Sequence, residues 1–151
     1  MHELFQKRHS IRRYKDVAVE EKKLKEILAV ANSAPSAGNL KAREILVVKR
    51  KKIREMLAQA ALRQDFVAVA PIVLVFCAVP ERSAKEYKQR GRELYALQDA
   101  TIAASFAWLQ AVDLGLAACW VGAFKENEVR QILGLDKSLR PIVLLPIGYA
   151  K

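Results

Sequence analysis

Histidine is nearly absent from this 151-residue chain, which has only His2 and His9. A histidine-served nucleophile would have to draw on the N-terminal arm, and no Gly-x-Ser-x-Gly elbow is present to carry one. Hydrolase chemistry therefore has no candidate. Cysteine is equally scarce. Cys77 and Cys119 sit inside apolar runs (IVLVFCAV and AACWVGAF) with no Cys-x-x-Cys or His/Cys ligand spacing. That leaves no case for a metal site, and it leaves two buried, reduced thiols acting as small hydrophobes. Only six glycines occur, and neither the Gly-x-Gly-x-x-Gly dinucleotide turn nor the Gly-x-x-x-x-Gly-Lys-Ser/Thr phosphate loop is among them. No apolar run approaches the roughly 18 residues of a membrane span. The opening Met-His-Glu-Leu-Phe-Gln-Lys-Arg lacks the apolar core of a signal peptide, so the chain reads as cytoplasmic.

The residues that are present describe a folded chain with a basic front. Hydrophobic residues make up 52% and charged residues 28%, enough for a core and an ordinary surface. The net charge is +10, and it is uneven: residues 1–75 carry 16 basic and 8 acidic groups, residues 76–151 carry 10 and 8. A basic front half suits an anionic partner, either nucleic acid or a phosphorylated small molecule. If the chain is an enzyme, its shortage of acid–base and nucleophilic groups assigns the chemistry to a bound, anionic cofactor.

Periodicity predicts the elements. Residues 19–33 form an amphipathic helix with Leu24, Ile27, Leu28 and Ala31 inward, and Glu20 and Glu21 at its positive end. Pro35 to Leu40 is a turn from which Ser36 and Asn39 point outward, followed by a strand over 44–48 and a helix over 50–62. Residues 72–79 are β-branched and apolar on both faces, the pattern of a central strand. Residues 81–93 are consistent with a loop or a solvated helix. An Ala-rich helix over 95–114, stopped by Gly115, is apolar nearly all round and so buried on several sides. A strand over 117–121, a turn at 122–124, a helix over 126–134 and a strand over 142–147 complete the chain. With no repeat or linker, this is one domain over 1–151, a three-layer α/β or α+β arrangement around about four strands.

Two segments carry the polar chemistry. Lys7-Arg8-His9-Ser10-Ile11-Arg12-Arg13-Tyr14 places Arg8, Ser10 and Arg12 on one side if the backbone is extended, a set of donors suited to a phosphate or an electron-rich ring edge. Ala34-Pro35-Ser36-Ala37-Gly38-Asn39-Leu40 is loop chemistry between a helix and a strand. Each has a bland alternative, a solvated basic arm and a simple turn.

Taken with Gly115-Leu-Ala-Ala-Cys-Trp-Val-Gly-Ala-Phe124 and Pro146-Ile-Gly-Tyr149, these segments resemble, in order and spacing, the FMN-dependent nitroreductase family. The resemblance implies an α/β/α sandwich with a mixed, mostly antiparallel sheet, and an obligate homodimer with FMN at its interface. The Ala-rich helix would lie at that interface. It implies that Arg8 meets the FMN phosphate, that His9 and Ser10 line the same face, and that Arg12 reaches the pyrimidine edge. A cation there favours the charge that reduction places on the ring. Pro35, Ser36, Ala37 and Asn39 would come from the other subunit, and the backbone of Val121 and Gly122 would approach flavin N5. No side chain receives a catalytic role, and no metal is implied. The implied activity is NAD(P)H-driven reduction of a nitroaromatic, quinone or related small acceptor by ping-pong hydride transfer. Members usually carry residues beyond the Gly-Tyr pair that touch the phosphate; here that contact falls to Lys151 or is missing. Arg63 or Gln64 stands where larger members place an Asn and a Lys. The alternatives are a small basic nucleic-acid-binding protein, which shows no recognition motif, and a flavin-binding protein without turnover.

Overall fold

Ile72–Ala78 (β2) is buried along its whole length and explains most of the architecture. A strand apolar on both faces must be paired at both edges and covered on both sides. In the computed structural model, which describes residues Met1–Lys151, Arg43–Val48 (β1) flanks β2 on one edge and Arg140–Gly148 (β4) on the other. Ala117–Ala118 (β3) pairs with the end of β4, giving the order β1-β2-β4-β3 with every pair antiparallel. Ser10 adds the one parallel pairing, an isolated bridge to Ala118.

The two faces of β2 bury different helices. Ile72, Leu74 and Phe76 pack against Leu24, Ile27 and Ala31 of helix α2 (Glu21–Ser33) and against Ala103, Ala104, Ala107 and Ala111 of α6 (Ala96–Asp113). Val73, Val75 and Cys77 face Leu57, Ala58 and Ala60 of α3 (Lys51–Ala60), together with Val67 and Val129. Val67 lies on α4 (Phe66–Val69), and Val129 on α7 (Glu126–Leu133). The result is a three-layer α+β sandwich. The alanine stripe of α6 brings that helix close to the sheet. Its opposite side carries partly exposed apolar residues such as Leu109, and Phe106 is 37% exposed.

Several elements differ from the sequence reading. Helix α1 (Glu3–Lys7) and α4 are too short to show a periodicity. Residues 80–90 form helix α5 with Pro80 in its first turn, broken at Lys88 (φ 53°, ψ −135°) and joined to α6 by a π-helical turn over Gly91–Tyr95. Strand β3 stops at Ala118 instead of running to 121. Val121 and Leu144 exchange both N–H···O bonds at 3.0 Å, and Ala117 lies opposite Gly148. Alternation along an antiparallel ladder makes Cys119 and Pro146 the intervening hydrogen-bonded pair. Pro146 has no N–H, so the ladder lapses there. No helix is long and apolar enough to cross a membrane.

Candidate functional site

The N-terminal arm is tied to the edge of the sheet by its backbone and leaves its polar side chains outside. After α1, Ile11 donates its N–H to the Ala118 carbonyl at 3.1 Å, Lys15 to Tyr149 at 2.9 Å, and Lys151 donates back to Arg13 at 3.0 Å. Tyr14 anchors the crossing. It is 3% exposed, and its hydroxyl donates to the Ile11 carbonyl at 2.7 Å, with the Pro146 carbonyl at 3.3 Å. Burial pushes its phenol well above the ordinary range.

Arg8 and Arg12 do not share a side as strict alternation would place them. The Arg8 guanidinium lies over Trp108 of α6, 4.7 Å from the ring centroid, and Arg12 lies over Phe66 of α4 at 5.9 Å. Those rings belong to helices on opposite faces of the sheet. Burial raises the pKa of the Cys119 thiol, while the nearby Arg12 charge draws it back. Neither Arg8 nor Arg12 has a carboxylate partner, whereas Arg82, Arg92 and Arg140 each do. His9 is exposed and makes no hydrogen bond.

The second segment is held by buried charge. Ala37–Asn39 forms a single 3₁₀ turn, and Gly38 (φ 58°), Asn39 (φ 55°) and Lys41 (φ 47°) all lie in the left-handed region. For a non-glycine residue that conformation costs roughly 1–2 kcal/mol, so the turn needs external support. Asp99, on the buried stripe of α6 and 2% exposed, supplies it. Its two oxygens accept the N–H of Ala37 at 3.1 Å and of Ala42 at 2.9 Å. Ser36 Oγ accepts the Lys41 N–H at 2.9 Å, so this hydroxyl is engaged in the turn instead of simply pointing outward. The Asn39 side chain is exposed and unbonded, and Pro35 is exposed.

Arg43, 4% exposed, fixes the approach to the loop by donating to the carbonyls of Ala31, Asn32 and Ala34 at 3.0–3.2 Å. These carbonyls lie at the C-terminal end of α2 and its cap, where the helix supplies few or no partners; Ala31 also accepts the Ala34 N–H at 3.4 Å. Burial lowers the Arg43 pKa, and Asp99 opposes that shift. Tyr87 of α5 closes the outside: a Cβ on Gly38 would meet its hydroxyl at 2.6 Å.

Val121 and Gly122 differ in kind. The Val121 side chain is buried in the α3–α7 core, while Gly122 is exposed and its N–H donates to nothing within the chain. That leaves a backbone donor with no side chain in front of it, in a surface hollow also lined by Leu97, Phe124, Arg140 and Ile142.

No hydrogen bond joins the arm to the 36–42 loop. They contact α6 at Trp108 and at Asp99, about 13 Å apart along its axis at 1.5 Å per residue. Sequence reasoning had missed Asp99, Arg43, Tyr87, Trp108 and Phe66. For Asp99 the signal was legible: a lone carboxylate in phase with Ala96, Ala103 and Ala107.

Matches to known proteins follow this geometry. The model of the Nitroreductase family matches residues 5–64 and 57–149, which include both polar segments and the Gly122 turn. The chain belongs to the nitroreductase family. A Methanocaldococcus jannaschii protein named as a nitroreductase is 38% identical over 104 residues, which is 69% of this chain and 51% of that protein. The FMN reductase [NAD(P)H] of Bacillus subtilis is 31% identical over 153 residues, 93% of this chain and 61% of that enzyme. This nitroreductase-family chain thus spans between half and two thirds of those two relatives. The structure of an FMN-dependent nitroreductase from Clostridium difficile superposes with a TM-score of 0.87 at 32% identity, covering 98% of this chain and 86% of that one.

Proposed function

We propose that this nitroreductase-family protein is an FMN-dependent NAD(P)H oxidoreductase that works as a homodimer. The observation that carries the reading is the split of its polar groups between two stations on α6, with no bond between them in one chain. A second copy whose α6 runs antiparallel across a two-fold axis would set the arm of one chain beside the 35–39 loop of the other. It would also cover Phe106 and its apolar neighbours.

The residues fit an anionic, planar cofactor. Arg8 and Arg12 lie free of carboxylates, parked on aromatic faces worth only about 0.5–1 kcal/mol each. Charge-assisted bonds to a phosphate are stronger, so the cations can leave those faces for a ligand. Arg8 and Ser10 would hold the phosphate, with His9 on the same face. Arg12 would place positive charge beside the pyrimidine edge of the ring. The unpaired N–H of Gly122 would meet the ring nitrogen, with Val121 buried beneath to fix the turn. Pro35, Ser36, Ala37 and Asn39 of the second copy would close over the ring. The chemistry that FMN supplies when bound is hydride acceptance from NAD(P)H, then electron donation to a nitroaromatic, quinone or related acceptor in ping-pong order. No side-chain base is needed, in keeping with two exposed histidines. The nucleic-acid alternative rests on net charge alone.

The test is direct. Purified protein should be dimeric in sedimentation, yellow with oxidised-flavin absorbance, and bleached by NADH or NADPH. Recolouring on adding a quinone completes the cycle. A colourless protein that takes up no added FMN overturns the reading, and a yellow protein inert to both nicotinamides reduces it to flavin binding without turnover.

A further inference from the structure

We infer that Asp99 is a positioning residue that holds the Ala37–Asn39 turn in its ligand-contacting shape before any ligand arrives. The inference rests on the reading of that turn as part of the flavin site. Of the four residues from Gly38 to Lys41 three have left-handed backbone, two of them not glycine, a conformation that an unsupported chain relaxes. The carboxylate spans the strained stretch, taking one backbone N–H just before it (Ala37) and one just after it (Ala42), with one oxygen for each.

A carboxylate suits this place better than any neutral side chain. It accepts at both oxygens and donates at neither, matching two converging N–H groups. An amide of identical shape presents a donor to one of them. The residue is buried in α6, a helix locked to the sheet by its alanine stripe, so the loop inherits the rigidity of the core. No salt bridge consumes Asp99. Arg43, the nearest buried cation, points its Nη2 at the α2 carbonyls and its Nε and Nη1 have no partner, so the hydrogen bonds of the carboxylate are those from the two N–H groups. Loop shape is thereby set by a buried side chain 57–62 residues away.

The experiment uses Asp99→Asn and Asp99→Ala in the full chain, with FMN affinity measured by quenching of flavin fluorescence and amide exchange followed at Ala37 and Ala42. In the wild type both amides should be protected without flavin, and adding FMN should change their exchange little. Asp99→Asn should keep the far-ultraviolet dichroism of the fold, speed exchange at those two amides selectively, and weaken FMN binding by roughly tenfold or more, the loss expected for a hydrogen bond to a charged group. A purely structural role would lower the melting temperature and leave the affinity of the folded protein unchanged, and that result overturns the inference. Wild-type amides that exchange freely until FMN is added overturn it too, without need of any variant. If wild-type protein binds no FMN, the functional reading fails by itself, while selective exchange at Ala37 and Ala42 in Asp99→Asn still decides whether Asp99 holds the turn.

Discussion

The arm at residues 8–14 and the loop at residues 36–42 are both short, polar and largely exposed, yet opposite forces hold them. The loop is braced from within by a buried carboxylate and approached through a buried guanidinium. The arm is pinned by its backbone and by Tyr14, while its cations rest on aromatic faces at 4.7 and 5.9 Å. Buried hydrogen-bonded charge is costly to break and sets one geometry. An exposed cation–π contact is cheap to leave. One half of the proposed site is therefore braced by buried charge, and the other half carries cations held only by weak contacts.

The largest test of that contrast is Arg43→Ala. It strips the donors from three carbonyls at the end of α2 and should cost about 3 kcal/mol in chemical denaturation. A loss under about 1 kcal/mol would show that the loop does not depend on its buried charge. Gly38→Ala comes next. It adds a Cβ at a φ of +58° and 2.6 Å from the Tyr87 hydroxyl. It should cost about 1–2 kcal/mol, of which Tyr87→Phe in the same chain recovers part; no recovery in the double variant would mean that strain alone sets the cost.

On the arm the prediction reverses. Arg12→Ala should change stability by less than about 1 kcal/mol while lowering flavin content well below that of Lys52→Ala. Equal flavin in the two purified variants removes the ring contact assigned to Arg12.

An effect of pH that is absent near neutral pH concerns Cys77, whose thiol burial pushes up from 9.0 to about 12. Between those values the folded chain keeps a proton that the unfolded chain releases. This contribution to stability is whole below pH 9 and is lost as pH rises towards about 12. Alkylation at pH 8 should accordingly label Cys77 only after unfolding.

The interior of the fold was legible because its signals are local. An unbroken β-branched run announced β2, and helical spacing announced α2, α3, α6 and α7 to within a few residues. The polar segments were legible as clusters of donors, though not their geometry. Alternation placed Arg8 and Arg12 together, and the structure sends them to rings on opposite faces of the sheet, Trp108 and Phe66, which lie far from the arm in sequence. Strand β3 was read too long because the residue that shortens it, Pro146, lies on another strand.

By itself, the sequence determined the layers and the central strand, since periodicity and composition act over a few neighbouring residues, and its motifs in order resembled the family to which the chain belongs. Only the tertiary structure decided that Asp99 supports a turn some sixty positions before it, and that arm and loop stand about 13 Å apart on one helix. Those relations depend on which side chains share a buried volume, and chain order does not encode that directly. A carboxylate in the interior needs converging donors, and only the packed fold can bring them to it.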